Sequence, residues 1–203
     1  MTEPLVVAID GPAGSGKSTV ARAVAERLGL EVLDTGSMYR AVTSLALREG
    51  VDPRDADKVT ILATAVDLRV GVRVLADGVD LTKTLRSEAV NELVSVVASV
   101  PGVRRELVER QRAWVAEHGG GVVEGRDIGS VVFPNAAVKV FLTASDAERA
   151  RRRGDEAPES VARRDLLDGG REVSPLVAAS DAHVLDTTDR AVGDVVEEIL
   201  SWL

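Results

Sequence analysis

Eight residues near the start, Gly11-Pro12-Ala13-Gly14-Ser15-Gly16-Lys17-Ser18, constrain this chain more than any others. They satisfy the pattern G-x-x-x-x-G-K-[ST], in which glycines let backbone N–H groups turn inward on an anion without side-chain collision. Before them, Leu5 to Ile9 is a continuous apolar run, which suits a strand buried on both faces of a parallel sheet. After them, Val20, Ala21, Val24, Ala25 and Leu28 recur at helical spacing, and Gly29 stands where a helix C-terminus favours it. A strand, a glycine turn and a helix N-terminus in that order make a cradle for the phosphates of ATP, because the helix dipole adds to the inward amides. Lys17 is expected to reach the β- and γ-phosphates and the Ser18 hydroxyl to ligate Mg²⁺, with Gly11 to Thr19 forming the binding loop. On average residue usage the bare pattern arises by accident in roughly one chain of this size in a hundred. The flanking elements make accident rarer still.

The rest of the chain bounds what such a loop can serve. With 203 residues it can bury one good core and a small excursion from it. Only 2% of residues are aromatic, so Val, Leu, Ala and Ile must build that core, and a bound base must rely on polar contacts and aliphatic walls. The net charge of −8 opposes nucleic acid and anionic membranes, so any cationic site has to be local. Arg does cluster, at 149–153 and 163–171. Cysteine is absent, which excludes disulfides and thiolate chemistry. Met1-Thr2-Glu3-Pro4 lacks the features of a signal peptide and no apolar run approaches a membrane span, so a cytoplasmic protein is expected. Nothing suggests an obligate oligomer, and a monomer is expected.

Beyond the loop, Glu31-Val32-Leu33 reads as a second strand and Ser37 to Glu49 as a helix, an alternation that marks an α/β fold with a mostly parallel sheet. The rhythm breaks between about 67 and 85, where short apolar runs are joined by Gly71 and by Asp77-Gly78. Asp-Gly between apolar runs signals a hairpin, so a small antiparallel insert on the main sheet is expected. Helices follow at about 87–99 and 102–117, separated by Pro101, and strands at 121–124 and 138–142. Ser145-Asp146-Ala147-Glu148 fits a capping box opening an Arg-rich helix to about 153. Gly154 to Ser160 reads as a loop, with helix resuming to Asp168. His183-Val184-Leu185-Asp186 is a last strand and 191–203 a closing amphipathic helix.

A phosphate cradle alone does not choose among kinases, switches and motors. Three further stretches narrow the field. Asp34-Thr35-Gly36-Ser37-Met38-Tyr39-Arg40 follows the second strand, and read alone it is as well explained by a helix cap with a surface Arg. Arg126 and Asp127 follow the strand at 121–124, and in open α/β sheets ligands sit beyond the carboxyl ends of strands. Arg164, Asp168 and Arg171 share one face if the segment is helical, although Gly169-Gly170 can end that helix and turn Arg171 elsewhere.

Taken with Ile9 to Ser18, Leu33 to Arg40, Gly125 to Pro134 and Arg171-Glu172-Val173-Ser174-Pro175-Leu176, the chain resembles the bacterial cytidylate kinase family along nearly its whole length. The resemblance implies a P-loop nucleoside monophosphate kinase fold over residues 1–203, with an acceptor-binding subdomain at about 66–104 and a short lid at about 150–163. It implies transfer of the ATP γ-phosphate to CMP or dCMP. By that likeness Arg40, Arg126 and Arg171 grip the acceptor phosphate, as guanidinium forks suit phosphate oxygens. Asp127 and Ser95 resemble the residues that accept from the cytosine amino group, and Arg104 the residue that donates to its acceptors. Thr35 belongs with this acceptor set, and Arg164 and Asp168 correspond to the sugar contacts. Lys17, Arg126 and Arg171 carry the catalytic charge. One departure stands out: only Gly154 to Ala162 separates Arg153 from Arg163, a lid shorter than many in the family. Arg149, Arg151, Arg152 and Arg153 are candidates for the triphosphate clamp, with Arg151 and Arg153 assigned to ATP. Asp10, Asp34 and Asp127 are all candidates to support Mg²⁺. The rival readings are a kinase for another nucleoside monophosphate or a metabolite such as shikimate, and a non-enzymatic ATP-binding module.

Overall fold

Leu5–Asp10 forms β1 and lies at the centre of a five-stranded sheet. Its Val7, Ala8 and Ile9 have no exposed surface, as the unbroken apolar run requires. The structure, a computed structural model, describes residues 4–154, 166–170 and 175–203. The described chain forms two compact units, Met1–Leu33 with Arg112–Leu203 and Asp34–Gln111.

In the first unit the turn after β1 leads into α1, Lys17–Leu28, which ends at Gly29 in a left-handed conformation. The sheet is completed by β2 (Val32–Asp34), β6 (Gly120–Gly125), β7 (Val138–Thr143) and β8 (His183–Asp186), in the order β2-β6-β1-β7-β8. Strand β1 pairs in parallel with β6 and β7, and β7 in parallel with β8. The helix α6 (Asp146–Arg152) and the closing helix α7 (Val192–Leu200) belong to the same unit. Val7 and Ile9 from β1, Val24 from α1, Leu142 from β7 and Ile199 from α7 share one apolar core. The expected strands of this unit are present within a residue or two, and the closing helix, expected over 191–203, ends at Leu200. Between β6 and β7 the chain makes a wide helical turn, Ile128–Val132.

The second unit holds α2 (Thr35–Arg48), α3 (Ala56–Ala65) and α4 (Glu88–Ser99), and α5 (Pro101–His118) begins within it. Pro101 is the first residue of α5, a position where its missing N–H costs nothing. The insert is antiparallel as expected, with strands β3 (Leu68–Val70), β4 (Val74–Ala76) and β5 (Val79–Asp80) in sequential order. Asp77 and Gly78 both take positive φ, 49° and 76°, the conformation a tight hairpin demands. The insert forms a separate sheet, however, and is not added to the main one. Val74 and Ala76 turn one face of β4 into a second core with Ala41, Leu45, Val66, Leu81 and Leu85, so the hairpin buries itself against α2. Helix α3 has no counterpart in the sequence reading. Its signals are Asp55, whose carboxylate accepts from Lys58 N, and Val59 and Ala63 at helical spacing. Among the described residues no helix is long and apolar enough to cross a membrane.

Candidate active site

The cradle follows from β1 stopping at Asp10 and α1 starting at Lys17. Between them Gly14 and Gly16 adopt φ of 78° and 89°, which L side chains resist. At Gly14 space is also decisive, because a Cβ there would lie 2.8 Å from the Arg149 carbonyl oxygen. Lys17 Nζ bends back and donates to Pro12 O at 2.7 Å. Burial of this ammonium is the main reason its pKa falls to about 7, and the Arg126 charge pushes it further down, as does Arg153, while Glu124 and Asp10 oppose them. Ser18 Oγ donates to the Glu124 carboxylate at 2.8 Å. Glu124 stands at the end of β6, opposite Ile9 in the parallel register, which is how the sheet delivers it to the loop.

Of the three carboxylates expected as Mg²⁺ supports, Asp10 and Asp34 accept from backbone amides. Asp10 accepts from Ile128 N at 2.8 Å and from Gly129 N at 2.7 Å, capping the wide turn. Burial raises its pKa to about 6; the two amides pull it down, and the Asp127 charge adds to the rise. Asp34 caps α2, accepting from Ser37 N at 3.1 Å and Ser37 Oγ at 2.6 Å. Asp127 is buried. The carboxylate that meets the Ser18 hydroxyl is Glu124, which the sequence reading treated only as strand. An acid closing the apolar run Gly121-Val122-Val123 is unusual, but nothing within that strand says which group it meets. Among the described residues no group of three or more His, Cys, Asp or Glu is assembled as a metal site. The Ser18–Glu124 pair is an all-oxygen donor set that suits Mg²⁺ in combination with phosphate oxygens and water.

Arg126 and Asp127 follow β6 at its carboxyl end, the end of an open α/β sheet where ligands bind. Arg126 Nη1 donates to Gly11 O at 3.1 Å, and its Nε lies 3.2 Å from the Asp168 carboxylate. Asp168 is buried. The structure therefore joins Lys17, Ser18, Arg126 and Asp168 around the loop.

The four arginines of α6 and its end divide their work. Ser145 Oγ accepts from Glu148 N at 3.3 Å, one half of the expected capping box. The other half is missing, because Ser145 N donates to Thr188 Oγ1 and the Glu148 carboxylate goes to Arg151 and Arg152. Those two guanidinium groups, Arg151 first, hold the Glu148 pKa down at about 2. Arg151 pairs with Glu148 at the surface, its side chain 73% exposed. Arg149 donates to Ala13 O at 3.0 Å. Arg152 reaches Thr187 O at 2.8 Å and Thr187 Oγ1 at 2.9 Å, and Thr187 Oγ1 lies 3.1 Å from Ser15 O. Arg149, Arg152 and Thr187 thus engage the carbonyl side of the loop, a bracing role that composition could not distinguish from solvated charge. Arg153 acts on Lys17 through its charge.

In the second unit, Thr35 opens α2 and is buried. Arg40, one turn on, donates from Nη1 to Leu85 O at 2.9 Å and to Asn91 Oδ1 at 2.5 Å. Ser95, on α4, is buried. Arg104, on α5, is buried too; it donates to Ala98 O at 3.2 Å and its guanidinium lies 5.6 Å from the Tyr39 ring centroid. Arg164 and Arg171 lie outside the described residues, as does most of the 150–163 segment.

A family profile described as cytidylate kinase matches residues 7–203. A cytidylate kinase from Desulforamulus reducens is 47% identical over an alignment covering 100% of this chain and 98% of that protein. One from Geobacillus kaustophilus is 49% identical, covering 98% and 96%. Among solved structures, a gluconokinase from Sinorhizobium meliloti superposes with a TM-score of 0.52 at 15% identity, covering 100% of this chain and 93% of that one. That likeness is one of fold.

Proposed function

The chain belongs to the cytidylate kinase family, and from that premise we propose that it transfers the γ-phosphate of ATP to CMP or dCMP, giving CDP or dCDP and ADP. The observation that carries this reading is identity near one half with curated cytidylate kinases over essentially the full length of both chains. ATP is the donor, and the loop from Gly11 to Thr19 takes its phosphates on inward amides and Lys17, with Arg151 and Arg153 as the assigned arginines. The Ser18 hydroxyl and Glu124 would help hold Mg²⁺, which would supply neutralisation of charge on the transferring phosphoryl group.

Phosphoryl transfer needs alignment and charge neutralisation more than covalent chemistry. The acceptor phosphate is assigned to Arg40, Arg126 and Arg171, its sugar to Arg164 and Asp168, and Thr35 to the same set. The attacking oxygen is already anionic at neutral pH, so no general base is required. Asp127 and Ser95 accept from the cytosine amino group and Arg104 donates to the ring acceptors. Uracil would turn a carbonyl oxygen toward the buried Asp127 carboxylate and set two acceptors against each other, a loss of about 1–3 kcal/mol or more. In the same proposal, segment 66–104 closes on the acceptor, residues 150–163 form a short lid, and the protein works as a cytoplasmic monomer in pyrimidine nucleotide metabolism.

ADP release measured against CMP, dCMP, UMP, AMP, dTMP and shikimate tests the assignment. CMP or dCMP should be the preferred acceptor, and Asp127→Ala should narrow the preference for CMP over UMP by about tenfold or more. Preference for another acceptor refutes the substrate. ATP binding with no acceptor-dependent ADP release would instead favour a regulatory module.

A further inference from the structure

The second unit contains a buried amide with a fixed orientation and a specific customer. Asn91, on the first turns of α4, is 6% exposed. Its Nδ2 donates to Arg86 O at 3.1 Å, and its Oδ1 accepts from Arg40 Nη1 at 2.5 Å. An amide has one donor end and one acceptor end. Because the nitrogen is committed to a carbonyl that can only accept, the oxygen must face Arg40. Flipping the amide would set an NH₂ against a guanidinium and an oxygen against a carbonyl, two repulsions in a buried place. Leu85 O takes a second hydrogen from the same Nη1, at 2.9 Å. Two acceptors therefore consume both hydrogens of that nitrogen and fix the plane of the guanidinium.

We infer that Asn91 is a positioning residue for acceptor binding: it sets the rotation of the Arg40 guanidinium so that its Nε–Nη2 edge, the fork that matches two oxygens of a phosphate, meets the acceptor's phosphate. The inference rests on the reading of Arg40 as a ligand of that phosphate. A neutral acceptor is the suitable partner here. It orients the cation and leaves its charge for the phosphate, whereas a carboxylate in its place would compete with the substrate. Leu85 O is a backbone group and needs no particular side chain. Asn91 gives Nη1 its side-chain acceptor.

The test is a double-mutant cycle on the whole protein with CMP as the varied substrate. Asn91→Ala should raise the KM for CMP about tenfold or more, the effect of losing one hydrogen bond to a charged group. KM for ATP should stay within about twofold, a split that general loosening of the fold would not produce. In an Arg40→Ala background the same change should add nothing, because the guanidinium through which it acts is gone. Asn91→Asp retains an oxygen toward Arg40 but neutralises it, and should also raise the KM for CMP; it serves if Asn91→Ala is poorly folded. Two results overturn the inference with Arg40 left in place as a ligand: both Asn91 variants keeping KM for CMP within twofold of the parent, or additive effects in the cycle. If Arg40→Ala itself leaves KM for CMP unchanged, the assignment of Arg40 fails and the inference falls with it.

Discussion

Lys17 holds its proton weakly for a lysine, at about pH 7, because its ammonium is buried and faces the Arg126 and Arg153 charges. A triphosphate in the loop brings several negative charges to it, so the pKa must rise on binding. The sign follows. Below pH 7 the free protein already carries the proton and affinity is level. Above pH 7, binding takes up a proton, and ATP affinity should fall by up to about tenfold per pH unit until the raised pKa is passed. Calorimetry at pH 8 in buffers of different ionisation enthalpy should register uptake of a proton, and Lys17→Arg should abolish it. At the acceptor side, Arg126→Ala should lower kcat/KM for CMP by about a hundredfold or more. Near-parent turnover would refute its role. That Lys17, Ser18 and Arg126 lie at the loop was readable from motif and position alone, because their spacing from a strand end is set by chain geometry. Glu124 was not. Its meeting with Ser18 depends on two strands far apart in sequence lying side by side in register.

Among the elements, the wide turn Ile128–Val132 depends on one carboxylate. Asp10 receives both of its leading amides, yet burial raises its pKa to about 6 from the ordinary 3.8. The folded state thus binds the proton more tightly than the unfolded chain does. This group's contribution to stability is fully present below about pH 4 and is lost as pH rises to about 6, a difference of up to about 3 kcal/mol. Asp10→Asn removes the charge and keeps one acceptor. Urea denaturation should show the stability of the parent relative to this variant declining between pH 4 and pH 6 and constant above it. Arg112 closes the other end of the same turn, donating to Val132 O at 3.0 Å and Val131 O at 3.1 Å. Helix α6 is a different lesson. Its Ser145 cap was legible, but Glu148 leaves the capping box for Arg151 and Arg152, since two charge-assisted bonds outweigh one neutral amide.

For the molecule as a whole, two cores have distinct memberships. Leu142 is fully buried in the first, and Leu142→Ala should cost about 2–5 kcal/mol. Its loss should appear in amide exchange of β1, β6 and β7. Val74→Ala, in the second, should lower protection within Asp34–Gln111 more than in the five-stranded sheet. Uniform loss of protection for both variants would show a single cooperative unit.

The sequence by itself determined the α/β class, the phosphate loop, most element boundaries and the family, because these rest on local periodicity, glycine conformations and contiguous motifs. Tertiary structure alone decided that the hairpin forms its own sheet, that Glu124 meets Ser18, that Arg149 and Arg152 brace the loop, and that Asn91 aims at Arg40. The polar contacts join residues far apart along the chain and the hairpin's place is set by the apolar face it packs on, and no spacing rule within one element encodes either.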